Sequence, residues 1–314
     1  MAQIMPLLPV SVQRQLAALP EERVQEIEEI RCRTGFPPEI VTAHGLLHSS
    51  QTARFSRQDA QTLIQKISHY SLYTLEEELR RGYITVRGGH RIGLAGHVLT
   101  ENGQVLRLRE VTFFNIRLAK QVIGAADRIV PYLVQEGRWL STLIIGAPMT
   151  GKTTMLRDLA RQVSEGVARQ KIEGRKTGIV DERSEIAGCV AGVPQNQVGA
   201  RTDVLDACPK AEGMMMMIRS MSPEVLIVDE IGRKEDTEAL LEALNAGVSV
   251  MATAHGYSLE QVRRRPALAA LFASDVFSRF IIVTRQAGQS DHAVRLHILD
   301  QKGRTLFSGW EALK

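Results

Sequence analysis

The chain has 314 residues, 44% of them hydrophobic and 24% charged, the composition of a soluble globular protein with length for two domains. No apolar run approaches the ~20 residues of a membrane span, and MAQIMPLLPVSVQRQ lacks the basic start and long apolar core of a secretory signal, so the chain is expected to be cytoplasmic, with any membrane association made through a partner. A net charge of +4 demands neither nucleic acid nor an anionic membrane, and three cysteines without C-x-x-C spacing argue against a disulfide frame or a zinc site.

Residues 10–30 and 57–81 read as helical, the second run starting near Asp59 and closing at Gly82 behind two arginines. The pattern then changes. Ile84 to Val86 and Ile92 to Leu94 flank a Gly-Gly turn, and Asn102-Gly103 divides Val98-Leu99 from Val105-Leu106, giving two successive hairpin signals. Residues 1–123 are therefore expected to form a small α+β domain with an antiparallel sheet, and residues 124–138 a linker helix. Across 139–314, apolar runs (LSTLII, TGIVDE, EVLIVDEI, SVMATAHG, RFIIVTR) alternate with helical segments, which predicts an α/β domain with a mainly parallel sheet flanked by helices.

Gly146 through Thr153 fits G-x-x-x-x-G-K-[ST] between a strand pattern and the amphipathic TTMLRDLARQV. A phosphate cradle needs backbone N–H groups turned inward at a helix N-terminus, which a glycine-bearing loop supplies. Gly146, Ala147, Pro148, Met149, Thr150, Gly151, Lys152, Thr153 and Thr154 are thus expected to bind ATP, with Lys152 against the β- and γ-phosphates and Thr153 on Mg²⁺.

Hydrolysis also needs metal positioning and an activated water. EVLIVDEIG ends a strand in Asp229 and Glu230, the first placed for the Mg²⁺ shell and the second for the attacking water. KTGIVDERSEI ends another in Asp181, Glu182, Arg183 and Glu185, where Glu182 is either a second water-orienting carboxylate or part of a surface salt-bridge cluster. VMATAHG ends a third in Thr253 and His255, and His255 is placed to sense the γ-phosphate. CPKAEGMMMMIRSMSP reads as a helix opened by Pro209 and closed before Pro223 whose methionines pack adaptably.

Together these residues resemble the secretion-ATPase branch of the RecA-like NTPases, the hexameric motors of type II and type IV secretion and pilus assembly. GAPMTGKTT (146–154) is similar to its Walker A box, IVDERSEI (179–186) to its Asp box, RSMSPEVLIVDEIGR (219–233) to its Walker B region and MATAHG (251–256) to its His box. With GYITVRGGHRIGLAGHV and FNIRLA added, the pattern resembles the stage III sporulation AA family of endospore formers. That resemblance implies a RecA-like fold, a hexamer, Mg²⁺-dependent ATP hydrolysis and, as partners, membrane proteins of a secretion-like channel between mother cell and forespore. It also implies an arginine reaching nucleotide from the N-terminal domain, where Arg117 of FNIRLAK would stand and RLRE offers Arg107 and Arg109. The chain departs from the branch in having Asp229 beside Glu230 and no tetracysteine motif.

Two other readings stay open at this level. A pI near 9.0 and the run Arg263-Arg264-Arg265 suit a nucleic-acid-dependent ATPase, although aromatics for base stacking make up only 5% of the chain. A scaffold that binds nucleotide without turnover would carry the same loop.

Overall fold

A computed structural model describes residues 1–42, 44–47, 53–68, 79–80, 82–101, 103–285 and 293–312. It divides into two compact units, Met1–Lys120 and Gln121–Lys314.

The first unit is a six-stranded antiparallel sheet covered by helices. Its strands are β1 (Ile27–Arg33), β2 (Glu39–Thr42), β3 (Gly45–Leu47), β4 (Tyr83–Val86), β5 (His90–Glu101) and β6 (Gln104–Arg117), in the order β3-β2-β1-β6-β5-β4. Helices α1 (Val10–Ala17), α2 (Glu21–Glu26) and α3 (Arg57–Ile67) accompany it. Leu16, Leu63 and Ile67 from the helices join Ile30, Cys32, Ile92, Phe114 and Ile116 from the strands in one core. A reciprocal capping box starts α3: Asp59 N–H donates to Ser56 Oγ, and Ser56 N–H donates to the Asp59 carboxylate.

The helical reading of 10–30 is corrected at its end, where β1 begins at Ile27. Glu29 to Arg33 pair with Phe113 to Arg117 of β6, so tertiary pairing overrides the local period. Of the expected helix over 57–81, residues 69–78 and 81 lie outside the described residues, as does Asn102 of the second hairpin turn. Both hairpins form, β4 with β5 and β5 with β6.

Residues 124–138 are not a helix. They form turns, a single 3-10 turn at Val130–Tyr132 and a small hairpin pairing Val134–Gln135 with Arg138–Trp139. Pro131 lacks the N–H that a helix would use. Glu136 and Gly137 both adopt positive φ, 51° and 74°, the geometry of a tight hairpin turn. Ala126, Ile129, Val130 and Leu133 are buried in the core of the second unit, which explains the helix-like spacing of their apolar residues.

The second unit holds an eight-stranded sheet made of β7 (Thr142–Gly146), β8 (Thr177–Asp181), β9 (Thr202–Asp206), β10 (Val225–Val228), β11 (Ser249–His255), β12 (Arg279–Thr284), β13 (Ala293–Asp300) and β14 (Thr305–Ala312). The order is β9-β8-β10-β11-β7-β12-β13-β14; the pairings through β12 are parallel, and β13 and β14 add antiparallel strands at one edge. Side chains alternate between two cores. Ile144 and Ile179 face Met155, Leu156 and Leu159 of α4 (Lys152–Glu165). Leu143, Ile145 and Val180 face Met214 and Met217 of α5 (Lys210–Met221) and Leu240 of α6 (Lys234–Asn245). Burial on both faces is why these strands read as continuous apolar runs. Trp139 is buried in the first of these cores and Trp310 lies half-exposed on β14. Among the described residues no helix is long and apolar enough to cross a membrane.

Candidate functional site

The loop from Gly146 to Gly151 joins β7 to α4. Met149 (φ 62°) and Gly151 (φ 91°) take left-handed backbone conformations, which turn the chain back on itself before α4 begins at Lys152. Gly146 has no room for a side chain: a Cβ there would stand 2.6 Å from Thr150 Oγ1 and 2.7 Å from the Val283 carbonyl. Thr150 Oγ1 and Lys152 Nζ both donate to the Ala147 carbonyl, at 2.9 and 2.8 Å. The Lys152 side chain is buried, and burial pulls its ammonium below the ordinary lysine range against the opposing charges of Asp229 and Glu230.

β10 delivers Asp229 and Glu230 beside this loop. Thr153 Oγ1 donates to Asp229 Oδ2 at 2.7 Å, while Thr253 of β11 donates to the other carboxylate oxygen. The Thr253 hydroxyl also accepts the Glu230 N–H at 2.8 Å, so one buried threonine orients both acids. Glu230 has φ 51°, uncommon for a residue with a Cβ. Its Oε1 lies 2.7 Å from His255 Nε2, and its Oε2 accepts from Arg183 Nη1 at 2.8 Å. His255 Nδ1 in turn stands 3.5 Å from Lys152 Nζ.

Glu182 enters the same cleft through Lys210, whose Nζ lies 3.4 Å from Glu182 Oε2 and donates to the Glu230 carbonyl at 2.6 Å. Behind it, Asp181 accepts N–H groups from Glu185, Ile186 and Ala187. Burial nevertheless pushes the Asp181 carboxyl up to about 6, with the three N–H bonds opposing that rise and nearby Asp206 adding to it. The loop held by Asp181 presents the Glu185 and Ile186 carbonyls to Arg157 of α4, which donates to both. The loop after β8 is thereby tied to α4.

Lys152, Thr153, Asp229, Glu230, Glu182 and His255 thus stand close together at the carboxyl ends of β7, β8, β10 and β11, where open parallel sheets hold ligands. The donor set fits magnesium and triphosphate: a hydroxyl and a carboxylate as hard oxygen ligands, a lysine at the loop, and backbone N–H groups at the start of a 14-residue helix. Arg117 belongs to the first unit, at the end of β6, where its exposed side chain lies 3.4 Å from Glu29. The Arg263–Arg265 run is partly engaged by its own fold, with the Arg263 guanidinium 5.5 Å from the Phe280 ring and 5.7 Å from that of Phe272.

The sequence pattern did not single out Lys210 or Arg157. Lys210 does carry a signal, because a cation in the first position of a helix opposes the helix dipole and asks for a local acidic partner. Arg157 looks like any polar residue of an amphipathic helix.

Residues 1–306 match the family described as "Sporulation stage III, protein AA". The chain is 53% identical over 306 residues to stage III sporulation protein AA of Bacillus subtilis (strain 168), covering 98% of this chain and 97% of that one. Among solved structures it is similar to the Legionella pneumophila ATPase DotB, with a TM-score of 0.63 and 17% identity over 94% of this chain and 81% of that one. It is also similar to the pilus retraction motor PilT solved with ADP, with a TM-score of 0.61 and 16% identity over 89% and 81% of the two chains. The fold is that of the RecA-like secretion ATPases, a mixed, mostly parallel sheet flanked by helices and preceded by a smaller antiparallel sheet.

Proposed function

The chain belongs to the sporulation stage III protein AA family, and on that footing we propose that it is a Mg²⁺-dependent ATPase, working as a hexamer that energises or assembles a membrane channel during endospore formation. The observation that carries this reading is the meeting of Lys152, Thr153, Asp229 and Glu230 at one loop and strand end.

In this reading the phosphates of ATP replace the Ala147 carbonyl as the partner of Lys152 Nζ, and the loop N–H groups donate to the phosphate oxygens. Thr153 and Asp229 would hold Mg²⁺, which when bound would supply positive charge against the phosphates. A water attacks the γ-phosphorus, its proton passes to the Glu230 carboxylate, and the bond to the β-phosphate oxygen breaks to release ADP. Glu230 must first yield at least one of its contacts to His255 and Arg183. Glu182, through Lys210, keeps a second carboxylate next to that base, and His255 links the base to the lysine that reads the phosphates. Arg117 is the arginine we assign to a neighbouring subunit's nucleotide. The docking partners are membrane proteins of the channel, and the place of work is the cytoplasmic face.

The test is ATPase activity per chain against protein concentration, with and without single-stranded DNA, using Glu230→Gln as the blank. The expected result is activity that climbs with concentration and ignores DNA, with Lys152→Ala unable to bind nucleotide and Glu230→Gln binding it but turning over ~10²- to 10⁴-fold more slowly. Normal turnover by Glu230→Gln would remove the assigned base, and stimulation by DNA would move the reading to a nucleic-acid translocase.

A further inference from the structure

A groove on the second unit lies away from the Gly146–Gly151 loop, between α5 and α6, with a volume of about 780 Å³. Its walls are helix faces. Ala211, Met215 and Arg219 form one i, i+4 row on α5, with Glu212, Met216 and Ser220 in the row beside it. On α6 the wall is Glu235, Glu238, Ala239 and Glu242, at i, i+3, i+4 and i+7. Met214 and Met217 are spent on the core, whereas Met216 is 48% exposed and Met215 lies between the two extremes.

Four carboxylates and one guanidinium border this apolar floor, although the chain as a whole carries a net charge of +4. Part of that acidity has a local cause. Glu212 and Glu235 stand in the first turns of their helices, where the dipole favours an anion, and Arg219 stands in the last turn of α5, where it favours a cation. Glu238 shares an exposed pair with Lys234 at 3.5 Å. Glu242 has no such cause: it stands in the last turn of α6, which carries no basic residue and where the dipole disfavours a carboxylate.

We propose that this groove docks a basic amphipathic helix of a partner protein, its apolar stripe on Met215, Met216 and Ala239 and its lysines or arginines against Glu238 and Glu242. Unbranched methionines adapt to the apolar side chains of a helix laid into a groove. The acidic border selects a cationic flank and repels nucleic acid and anionic lipid. The site is independent of nucleotide chemistry and stands whether or not the chain hydrolyses ATP.

The probe is a fluorescein-labelled synthetic peptide of leucines and lysines at helical spacing, titrated with the full chain by anisotropy. Saturable binding that weakens with salt is expected, reduced about tenfold or more in Glu238→Lys/Glu242→Lys. Met216→Ser is expected to weaken it as well while leaving the salt dependence in place. Unchanged tryptophan emission and melting would show that both variants are folded. Failure of the wild-type chain to bind, equal binding by the variants, or equal binding of the same peptide with glutamates for lysines would each overturn the proposal. Self-association of the wild-type chain in sedimentation, lost in Glu238→Lys/Glu242→Lys, would assign the groove to a second copy and overturn it too.

Discussion

Arg183, His255 and a left-handed backbone conformation converge on Glu230, and a lysine four residues beyond the end of β9 anchors the arrangement. Lys210 is buried, and its ammonium bridges the Glu182 carboxylate and the Glu230 carbonyl. Lys210→Met keeps the length of the side chain and removes the charge. It should lower turnover at least about tenfold, since a small displacement of a catalytic group costs that much or more, while nucleotide affinity stays near that of the parent. Parallel measurements of kcat and nucleotide Kd separate this from general damage, which would move both. At this scale the placement of the site was legible: the Gly146–Gly151 loop and the acids that end β8 and β10 meet at one end of the sheet, and both were visible as residue patterns. Lys210 and Arg157 could not be read in the same way. Their roles depend on partners distant in sequence, Glu182 and Glu230 for one and the Glu185 and Ile186 carbonyls for the other.

Among the elements, the close approach of β8 to α5 sets how the Asp-box strand sits. Gly178 makes room for it: a Cβ there would lie 2.7 Å from Met217 Cγ, 2.9 Å from its Sδ and 3.3 Å from Pro223 Cβ. Gly178→Val should therefore overpack this face and cost about 1–3 kcal/mol, read as a lower urea midpoint at unchanged slope. Gly178→Ala should cost less, because the methionine chain can swing away. Strands buried on both faces were legible as apolar runs, and β7, β8, β10, β11 and β12 fall on the five runs named from sequence. β9 was not, because TDVLD at the sheet edge is half polar and its pairing is supplied by β8 alone. Residues 124–138 misled for the opposite reason. Their apolar spacing reflects burial against the second core, while Pro131 and the Glu136-Gly137 turn decide the backbone.

For the whole molecule, the two units carry buried titrating groups of opposite effect. In the first, His90 accepts the Ala119 N–H on Nδ1, and burial first, then the N-terminal charge, lowers its pKa from 6.5 to about 4. The unfolded chain takes up that proton before the folded one does, so the first unit should lose about 2 kcal/mol as the pH falls from 7 to 5. In the second, Asp181 is raised from 3.8 to about 6, so the folded chain protonates first. Its contribution to stability is full below pH 3.8 and lost as the pH rises through 6, and falling from pH 7 to 5 restores about 1 kcal/mol. Calorimetry at the two pH values should show the transition of the first unit falling and that of the second rising on acidification, with His90→Gln and Asp181→Asn each flattening one of them. Transitions that move together would rule out this assignment. Division into a small antiparallel unit and a larger α/β unit was legible from the change of rhythm along the chain, whereas these two burial-driven titrations depend on tertiary neighbours. The same division has an optical consequence. Both tryptophans of the chain, Trp139 and Trp310, lie in the second unit. Red-edge excitation therefore reports on that unit alone, and the first unit stays dark. A single cuvette, read once by fluorescence and once by circular dichroism, can tell which half of the protein has come apart without a label being attached to either.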